Sequence, residues 1–343
     1  MIQDIILTID SGTTNTRVFV IRGEHIMGKG YANVGVRNTA ITGSITELQK
    51  GIKTAIGEAL QSAKVQMSQI DFVVASGMIT SELGLVNLPH LSTPVSLKKL
   101  ALKVKKVIIP DILAQPIHFI PGVKNNLKNL SMDNLNQADF MRGEEVQVFG
   151  ALDVLGLKGP VIIIILSSHT KIIGINENNE ITGSITTMSG QLFSAVKERT
   201  FLASSLPKEN EMASCKSDID KAMILKGFEY ATNFGLTRSL LMIRFMEILM
   251  RTTAVQRLYF LNGIIAAQDM YSIKQFFDFS GLNSCNTYLL LGNRTRCEMY
   301  RELLIEKEKI RGKIIVGNKE LVEQATAVGS YKIIEEFRNI ASR

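Results

Sequence analysis

The chain has no tryptophan, three cysteines, four histidines and seven prolines in 343 residues. Each scarcity excludes something. Cys215, Cys285 and Cys297 are odd in number and scattered, so they form neither a disulfide framework nor a thiolate metal site, and they suit a reducing cytoplasm. The apolar run Val161 to Leu166 is far short of the roughly 20 residues that cross a bilayer, so no membrane association is expected. Asp4 and Asp10 interrupt the opening residues, which lack the pattern of a signal peptide. Aromatic residues make up 6% of the chain and the net charge is +7. A nucleic-acid surface needs more charge and more stacking platforms. The densest basic stretch, "KKLALKVKK" (98–106), alternates with apolar residues and reads as the wet face of a helix or strand. No serine sits in a Gly-x-Ser-x-Gly elbow, and no cysteine–histidine pair is evident. Neither a P-loop nor a Gly-x-Gly-x-x-Gly follows the first strand.

What is present is a folded composition, 45% apolar and 21% charged, long enough for two domains. "ILTIDSGTTNTRVFVI" (6–21) reads as two buried strands around a turn of small hydrogen-bonding residues. A third strand, "HIMGKGYANVGV", follows. Ser44 and Glu47 have the spacing of a capping box, and Ile45, Leu48, Ile52, Ile56 and Leu60 line one face of a helix over 44–64. "IDFVVASGM" and "VKKVIIPDILAQPIHFIPGV" supply further strands. An Asn-rich loop spans 123–140, and "GEEVQVFGALDVLG" begins a helix. "GPVIIIILSSHTKIIGINENNEITGSIT" then repeats the strand–turn–strand layout. Helices are expected over 189–205, 217–230, 233–250, 253–276, 295–309 and 320–340, with short strands "TYLLLG" and "GKIIVG" among them. Two α/β lobes around a cleft are the natural packing. The expected boundaries are 1–155, 156–320 and a C-terminal helix at 321–343, packing between the lobes or back on them.

Three segments have residues suited to chemistry. In the first turn, Gly12 frees the backbone, and the amides with the Thr13, Thr14 and Thr16 hydroxyls can form a nest for phosphate oxygens. A plain hairpin turn is the alternative. Asp10 ends the first strand; beside phosphates a carboxylate makes sense with hydrated Mg²⁺ between them. In the second turn, Ser167, Ser168, His169 and Thr170 offer donors and Lys171 a positive charge, though His169 is equally a plain turn residue. In "DFMRGEEVQVFGA" (139–151), Arg142 suits an anion, and Glu144 and Glu145 suit either a hydroxyl or the helix dipole alone. Asp139 is a candidate acid or a turn cap. Gly292 and Asn293 end a strand where a flat ligand can approach closely. Gly263 thins a helix for close packing, and Ala325, Ala327 and Gly329 suit tight packing between lobes.

The Asp-Ser-Gly-Thr-Thr-Asn-Thr-Arg turn, with its duplicated lobes, resembles the actin-like ATPase (ribonuclease H-like) fold of sugar kinases and 70-kilodalton chaperones. "ASGMITSELGLVNLPHL" (75–91), "HFIPGV" (118–123), "MRGEEVQVFGA" (141–151), "SSHTKIIGINENNEITGSITTMSGQLFSAV" (167–196), "LNGIIAAQ" (261–268) and "LLLGNRTRCEMYREL" (289–303) resemble the 2-dehydro-3-deoxygalactonokinase family more closely. The resemblance implies ATP, Mg²⁺ and phosphoryl transfer to the 6-hydroxyl of 2-dehydro-3-deoxy-D-galactonate. It assigns Asp10, Gly12, Thr13 and Thr14 to the first phosphate turn, and Ser168, His169 and Lys171 to the second. Gly292 and Asn293 lie by the adenosine, and Asn15, Arg17, Met78 and Arg142 lie on the acceptor side. Glu144 is the first choice of general base and Asp139 the second; Asp10 either holds the metal or takes that role. The family's second turn usually begins Pro-Gly-Thr-His, whereas Leu166-Ser167-Ser168-His169 stands here and loses the freedom of the glycine. A kinase of another sugar or sugar acid, a non-catalytic nucleotide- or sugar-acid-binding protein and a chaperone-like ATPase are the rival readings. A homodimer is the habit of such enzymes.

Overall fold

The computed structural model describes residues 4–208, 219–282 and 285–342; Cys215 and the first residues of the helix expected from 217 lie outside these. The chain divides into two compact units. One comprises Met1–Gly159, Ile175–Ser184 and Glu320–Arg343, the other Pro160–Gly174 and Ile185–Lys319.

The first unit opens with β1 (Ile5–Ser11), β2 (Thr16–Arg22) and β3 (His25–Ala32), then α1 (Val36–Thr42) and α2 (Thr46–Ala63). β4 (Phe72–Gly77), β5 (Leu91–Ser92), α3 (Leu97–Ala101), β6 (Lys105–Ile109), β7 (Leu113–Phe119), β8 (Val123–Lys124), β9 (Phe140–Met141) and α4 (Glu144–Val154) follow. Six strands form a sheet in the order β3-β2-β1-β4-β7-β6, and β5, β8 and β9 form a small second sheet. β1 pairs antiparallel with β2 and parallel with β4. Every residue of β1 is buried, as expected of a central strand covered on both faces. β6 is an edge strand with Lys105 and Lys106 exposed, so part of the basic stretch blunts an open sheet edge.

Leu48, Ile52 and Ile56 of α2 are buried beneath this sheet as the periodicity requires. The Ser44–Glu47 capping box does not form. Ser44 Oγ accepts from the Thr46 amide, and Glu47 accepts from the Asn38 side chain. Ile45 is then the cap residue and stays exposed. A short helix, α1, was not evident in the sequence; its seven residues carry too little periodicity to declare it.

The second unit contains β10 (Val161–Leu166), β11 (Thr170–Ile175), β12 (Ile181–Thr187), α5 (Ser189–Arg199), α6 (Lys221–Phe234), α7 (Leu236–Ile248), α8 (Ala254–Ser280), β13 (Thr287–Gly292), α9 (Arg294–Glu306) and β14 (Lys313–Val316). The tip of the β11–β12 hairpin, 175–184, groups with the first unit. The sheet runs β12-β11-β10-β13-β14, with β10, β13 and β14 parallel. Third-second-first-fourth-fifth is also the order of the first five strands of the larger sheet once its β6 edge is set aside. The mixed-sheet architecture is therefore duplicated.

Gly263 does what its position in α8 suggested. A Cβ there would lie 2.0 Å from the Ile224 carbonyl oxygen of α6, and one at Gly227 would lie 2.0 Å from that of Phe260. The C-terminal helix α10 (Lys319–Ala341) uses the same device in the first unit. Gly329 faces the Val146 carbonyl of α4 and Gly150 faces that of Ala325, at 2.0 and 1.8 Å for an added Cβ. Lys29 and Tyr31 of β3 tie Glu323 of this helix to the sheet, at 2.5 and 3.3 Å.

Candidate active site

β1 delivers Asp10 to the end of the sheet, opposite Arg17 of β2 and beside Ser76 of β4. The carboxylate is buried and its Oδ2 accepts from Arg17 Nη2 at 2.5 Å. Asp10 raises the pKa of this guanidinium further. The other carboxylate oxygen lies beside two glycines with positive φ, Gly77 (89°) and Gly143 (103°). A Cβ at Gly77 would lie 3.1 Å from Asp10 Oδ1, and one at Gly143 would lie 3.7 Å from it. At both positions the positive φ favours glycine, and the bare backbone comes close to that oxygen.

The first turn closes on itself through the Gly12 amide, which donates to the Asn15 carbonyl at 2.9 Å. Its carbonyls face α1: the Val36 and Arg37 amides donate to Gly12 O and Thr13 O. Gly35 makes this approach possible, since a Cβ there would stand 2.5 Å from the Gly12 and Thr13 oxygens. Thr13, Thr14 and Asn15 are exposed on the turn. Thr16 is not: its hydroxyl is buried, donating to Val34 O at 2.8 Å and bonded to Ser11 Oγ, so it is spent on the fold and leaves the proposed nest.

Met78 follows Gly77 in a single 3-10 turn, half-buried. Arg142 is held by Thr80 Oγ1 at 2.9 Å and the Leu88 carbonyl at 2.7 Å, with His90 Nδ1 at 3.5 Å. Burial lowers its pKa, and the nearby Glu145 and Glu82 partly offset this. Glu144 begins α4, half-buried, and its Oε2 accepts from the Arg142 amide at 3.1 Å. Asp139 accepts from Ser184 Oγ at 2.5 Å, a bond to β12 that occupies one of its oxygens. Glu145, which the residue pattern left undistinguished from Glu144, is fully buried. Both its oxygens accept from the Gly143 amide, at 2.8 and 2.9 Å. Burial first, then the adjacent Glu144, pushes its pKa up to about 8.

The second unit repeats the arrangement of its counterpart. Ser167 N donates to His169 O, closing the turn, and no residue from 166 to 169 takes a positive φ. The missing glycine therefore costs this turn no backbone strain. Ser168 and Ser167 are exposed, and His169 Nδ1 lies 3.3 Å from Ser168 Oγ. The Gln191 amide of α5 donates to Ser168 O, and a Cβ on Gly190 would lie 2.2 Å from Ser167 O. Gly190 thus plays the part of Gly35. Gly292 (φ 152°) plays the part of Gly77: it pairs with Leu166, whose carbonyl a Cβ would meet at 2.5 Å. Asn293 caps α9, accepting from the Arg296 amide at 3.2 Å. Lys171 is buried, and its ammonium donates to Thr186 Oγ1 at 2.5 Å.

Exposed small residues and amides on each turn fit phosphate oxygens. A carboxylate with one oxygen outside the Arg17 pair fits a hydrated Mg²⁺, which takes few protein ligands and keeps its waters. No group of three or more His, Cys, Asp or Glu side chains suited to a dedicated metal cage occurs among the described residues.

The sequence profile of 2-keto-3-deoxy-galactonokinase matches residues 10–323. The chain belongs to that family. A Rhizobium meliloti (strain 1021) protein named as a 2-dehydro-3-deoxygalactonokinase is 26% identical over 206 residues, 60% of each chain. The Escherichia coli (strain K12) 2-dehydro-3-deoxygalactonokinase is 22% identical over 271 residues, 79% of this chain and 80% of its own. A Sinorhizobium meliloti protein crystallised under the 2-dehydro-3-deoxygalactonokinase name superposes with a TM-score of 0.69, at 20% identity and 96% coverage of both chains. An Acidaminococcus fermentans (R)-2-hydroxyglutaryl-CoA dehydratase component A gives 0.51 at 12% identity, covering 97% and 99%. These structural likenesses establish the actin-like ATPase architecture. Among the residues that the structure brings to the two turns and their supports, the sequence pattern did not single out Gly35, Gly77, Gly190 and Arg296. The glycines carried a readable signal, each standing at the end of a strand or the start of a helix. A side chain that acts across more than a hundred residues of sequence carried none.

Proposed function

We propose that the chain transfers the terminal phosphoryl group of ATP to the 6-hydroxyl of 2-dehydro-3-deoxy-D-galactonate. The observation that carries this reading is Asp10: a buried carboxylate paired with Arg17, its other oxygen beside the Gly77 and Gly143 backbone, next to an exposed turn of donors. Family membership supplies the acceptor. Bound Mg²⁺, which Asp10 would hold through its water shell, supplies charge neutralisation on the phosphates.

In this reading Thr13 and Thr14 of the first turn, and Ser168 and His169 of the second, donate to phosphate oxygens. Lys171 acts through the field of a buried ammonium rather than by contact. Arg17 orients Asp10. Arg142, Asn15 and Met78 shape the acceptor side, where a fixed guanidinium favours a sugar acid over a neutral sugar. Glu144, at the entrance to α4, receives the hydroxyl proton as the new bond to phosphorus forms. Asp139, whose carboxylate accepts from Ser184 Oγ as that of Glu144 accepts from the Arg142 amide, is the second candidate. Gly292 and Asn293 border the nucleoside. Phosphoryl transfer draws most of its rate from such positioning and from charge stabilisation.

The test is release of ADP from ATP and Mg²⁺ with 2-dehydro-3-deoxy-D-galactonate, beside its gluconate epimer, neutral hexoses and no acceptor. Release with the first acid alone supports the reading. Release only with another acceptor keeps the kinase and replaces the substrate; none with any acceptor refutes it.

A further inference from the structure

Arg296 lies in the first turn of α9, yet its side chain serves the turn between β10 and β11. Nη1 donates to the Ser167 carbonyl at 2.7 Å. Nη2 lies 3.0 Å from Thr170 Oγ1 and 3.1 Å from Ser189 Oγ, two hydroxyls that also bond each other at 2.7 Å. One planar fork thus joins both ends of the second turn to the first residue of α5, whose Gln191 amide supports the same turn from behind. The fork is itself braced. Nη2 reaches Tyr300 OH at 3.4 Å, and the guanidinium carbon stands 5.5 Å from the Tyr300 ring centre. Tyr300 donates to Asp269 Oδ2 at 2.5 Å, and Thr187 donates to the other oxygen of this fully buried carboxylate.

Among the described residues the first turn has no such side-chain clamp. It fixes itself through Gly12 N to Asn15 O and through the Thr16–Ser11–Val34 bonds. The second turn is one residue shorter between its strands, 167–169 against 12–15, and contains no glycine.

We infer that Arg296 is a positioning residue for ATP: it holds the Ser167–Thr170 turn so that its outward donors meet the phosphates, and it sets nucleotide affinity without touching the acceptor. This rests on the kinase reading above. The geometry of a fork is needed, since a carbonyl and two hydroxyls lie on different sides of it. A lysine retains the charge but cannot span them.

The experiment is calorimetric titration of the full-length chain with adenosine, ADP and ATP in Mg²⁺, for the wild type, Arg296→Lys and Arg296→Ala. Arg301→Lys, at a surface ion pair of the same helix, is the control. ATP and ADP should bind at least about tenfold more weakly to both Arg296 variants, because a multi-point charged hydrogen-bond contact is lost. Adenosine affinity and the KM for the sugar acid should stay within about twofold, a split no general loosening of the fold produces. Arg296→Lys serves if Arg296→Ala does not fold. Unchanged ATP affinity, or an equal fall for adenosine and ATP, overturns the inference while leaving the kinase intact. A wild type that binds no ATP overturns the reading and the inference together.

Discussion

Replacing Glu145 with glutamine removes an ionisation for which the fold makes no provision. The side chain is fully buried, accepts from the Gly143 amide alone among backbone neighbours outside its own residue, and lies near Glu144, with Arg142 giving partial relief. Its folded pKa, about 8, stands above the ordinary 4.5. Between those values the folded chain keeps a proton that the unfolded chain releases. The stabilisation is therefore complete below pH 4.5 and is lost as pH rises through about 8. At 1.36 kcal/mol per pH unit the full loss is about 5 kcal/mol, of which roughly 3 kcal/mol is already gone at pH 7. Glutamine has nearly the same shape, keeps one oxygen for the Gly143 amide and cannot ionise. Thermal unfolding of wild type and Glu145→Gln from pH 5 to 9 should give two curves that separate steadily. The variant should gain roughly 10 °C on the wild type by pH 8 at about 2 °C per kcal/mol. Parallel curves over that range would refute the account, because they would mean that Glu145 ionises in the folded chain as readily as in water.

Asp10→Asn should lower turnover by about 10²- to 10³-fold while the circular dichroism spectrum is unchanged; a loss under tenfold removes Asp10 from the reaction. Gly190→Ala forces a Cβ to within 2.2 Å of the Ser167 carbonyl, so the KM for ATP should rise several-fold with kcat less affected; equal KM values would show that α5 does not set the turn. Gly150→Ala meets the Ala325 carbonyl at 1.8 Å and should cost at least about 2 kcal/mol in urea denaturation. Gly57→Ala, with open space around it in α2, should instead gain roughly 0.5–1 kcal/mol. The opposite order would mean that helix propensity, not the α4–α10 crossing, governs these positions.

Much of the fold could be read from short-range signals. The strands around residues 6–21 and 161–175 announced themselves as apolar-rich segments flanking small polar turns, and α2 as a stripe of Leu48, Ile52 and Ile56. The Ser44–Glu47 box failed because spacing alone cannot say that Asn38, from a helix no pattern revealed, would take Glu47. At the site, residue type fixed candidates but not their commitments. Thr16 and Thr13 look alike in sequence, yet one hydroxyl is buried on Val34 and the other is exposed. Glu144 and Glu145 are adjacent and identical, and only the direction of α4 seals one and leaves the other at the surface.

The duplication itself explains a division of labour between the turns. Ser11 pairs with Gly77 as Leu166 pairs with Gly292, so Asp10 corresponds to Ile165 one step back along the strand. The cations correspond too, each one residue after the buried threonine that opens the second strand: Arg17 after Thr16, Lys171 after Thr170. In the first unit the cation meets a carboxylate, and the pair can orient a hydrated metal ion without leaving a net buried charge. In the second, the strand end is aliphatic, and Lys171 turns to a hydroxyl on β12. A turn over an ammonium attracts phosphate directly, whereas a turn over a carboxylate needs a cation between them. The same strand–turn–strand layout thus ends in an ion pair in one unit and in a lysine bonded to a hydroxyl in the other, and Asp10 is the residue on which that difference depends.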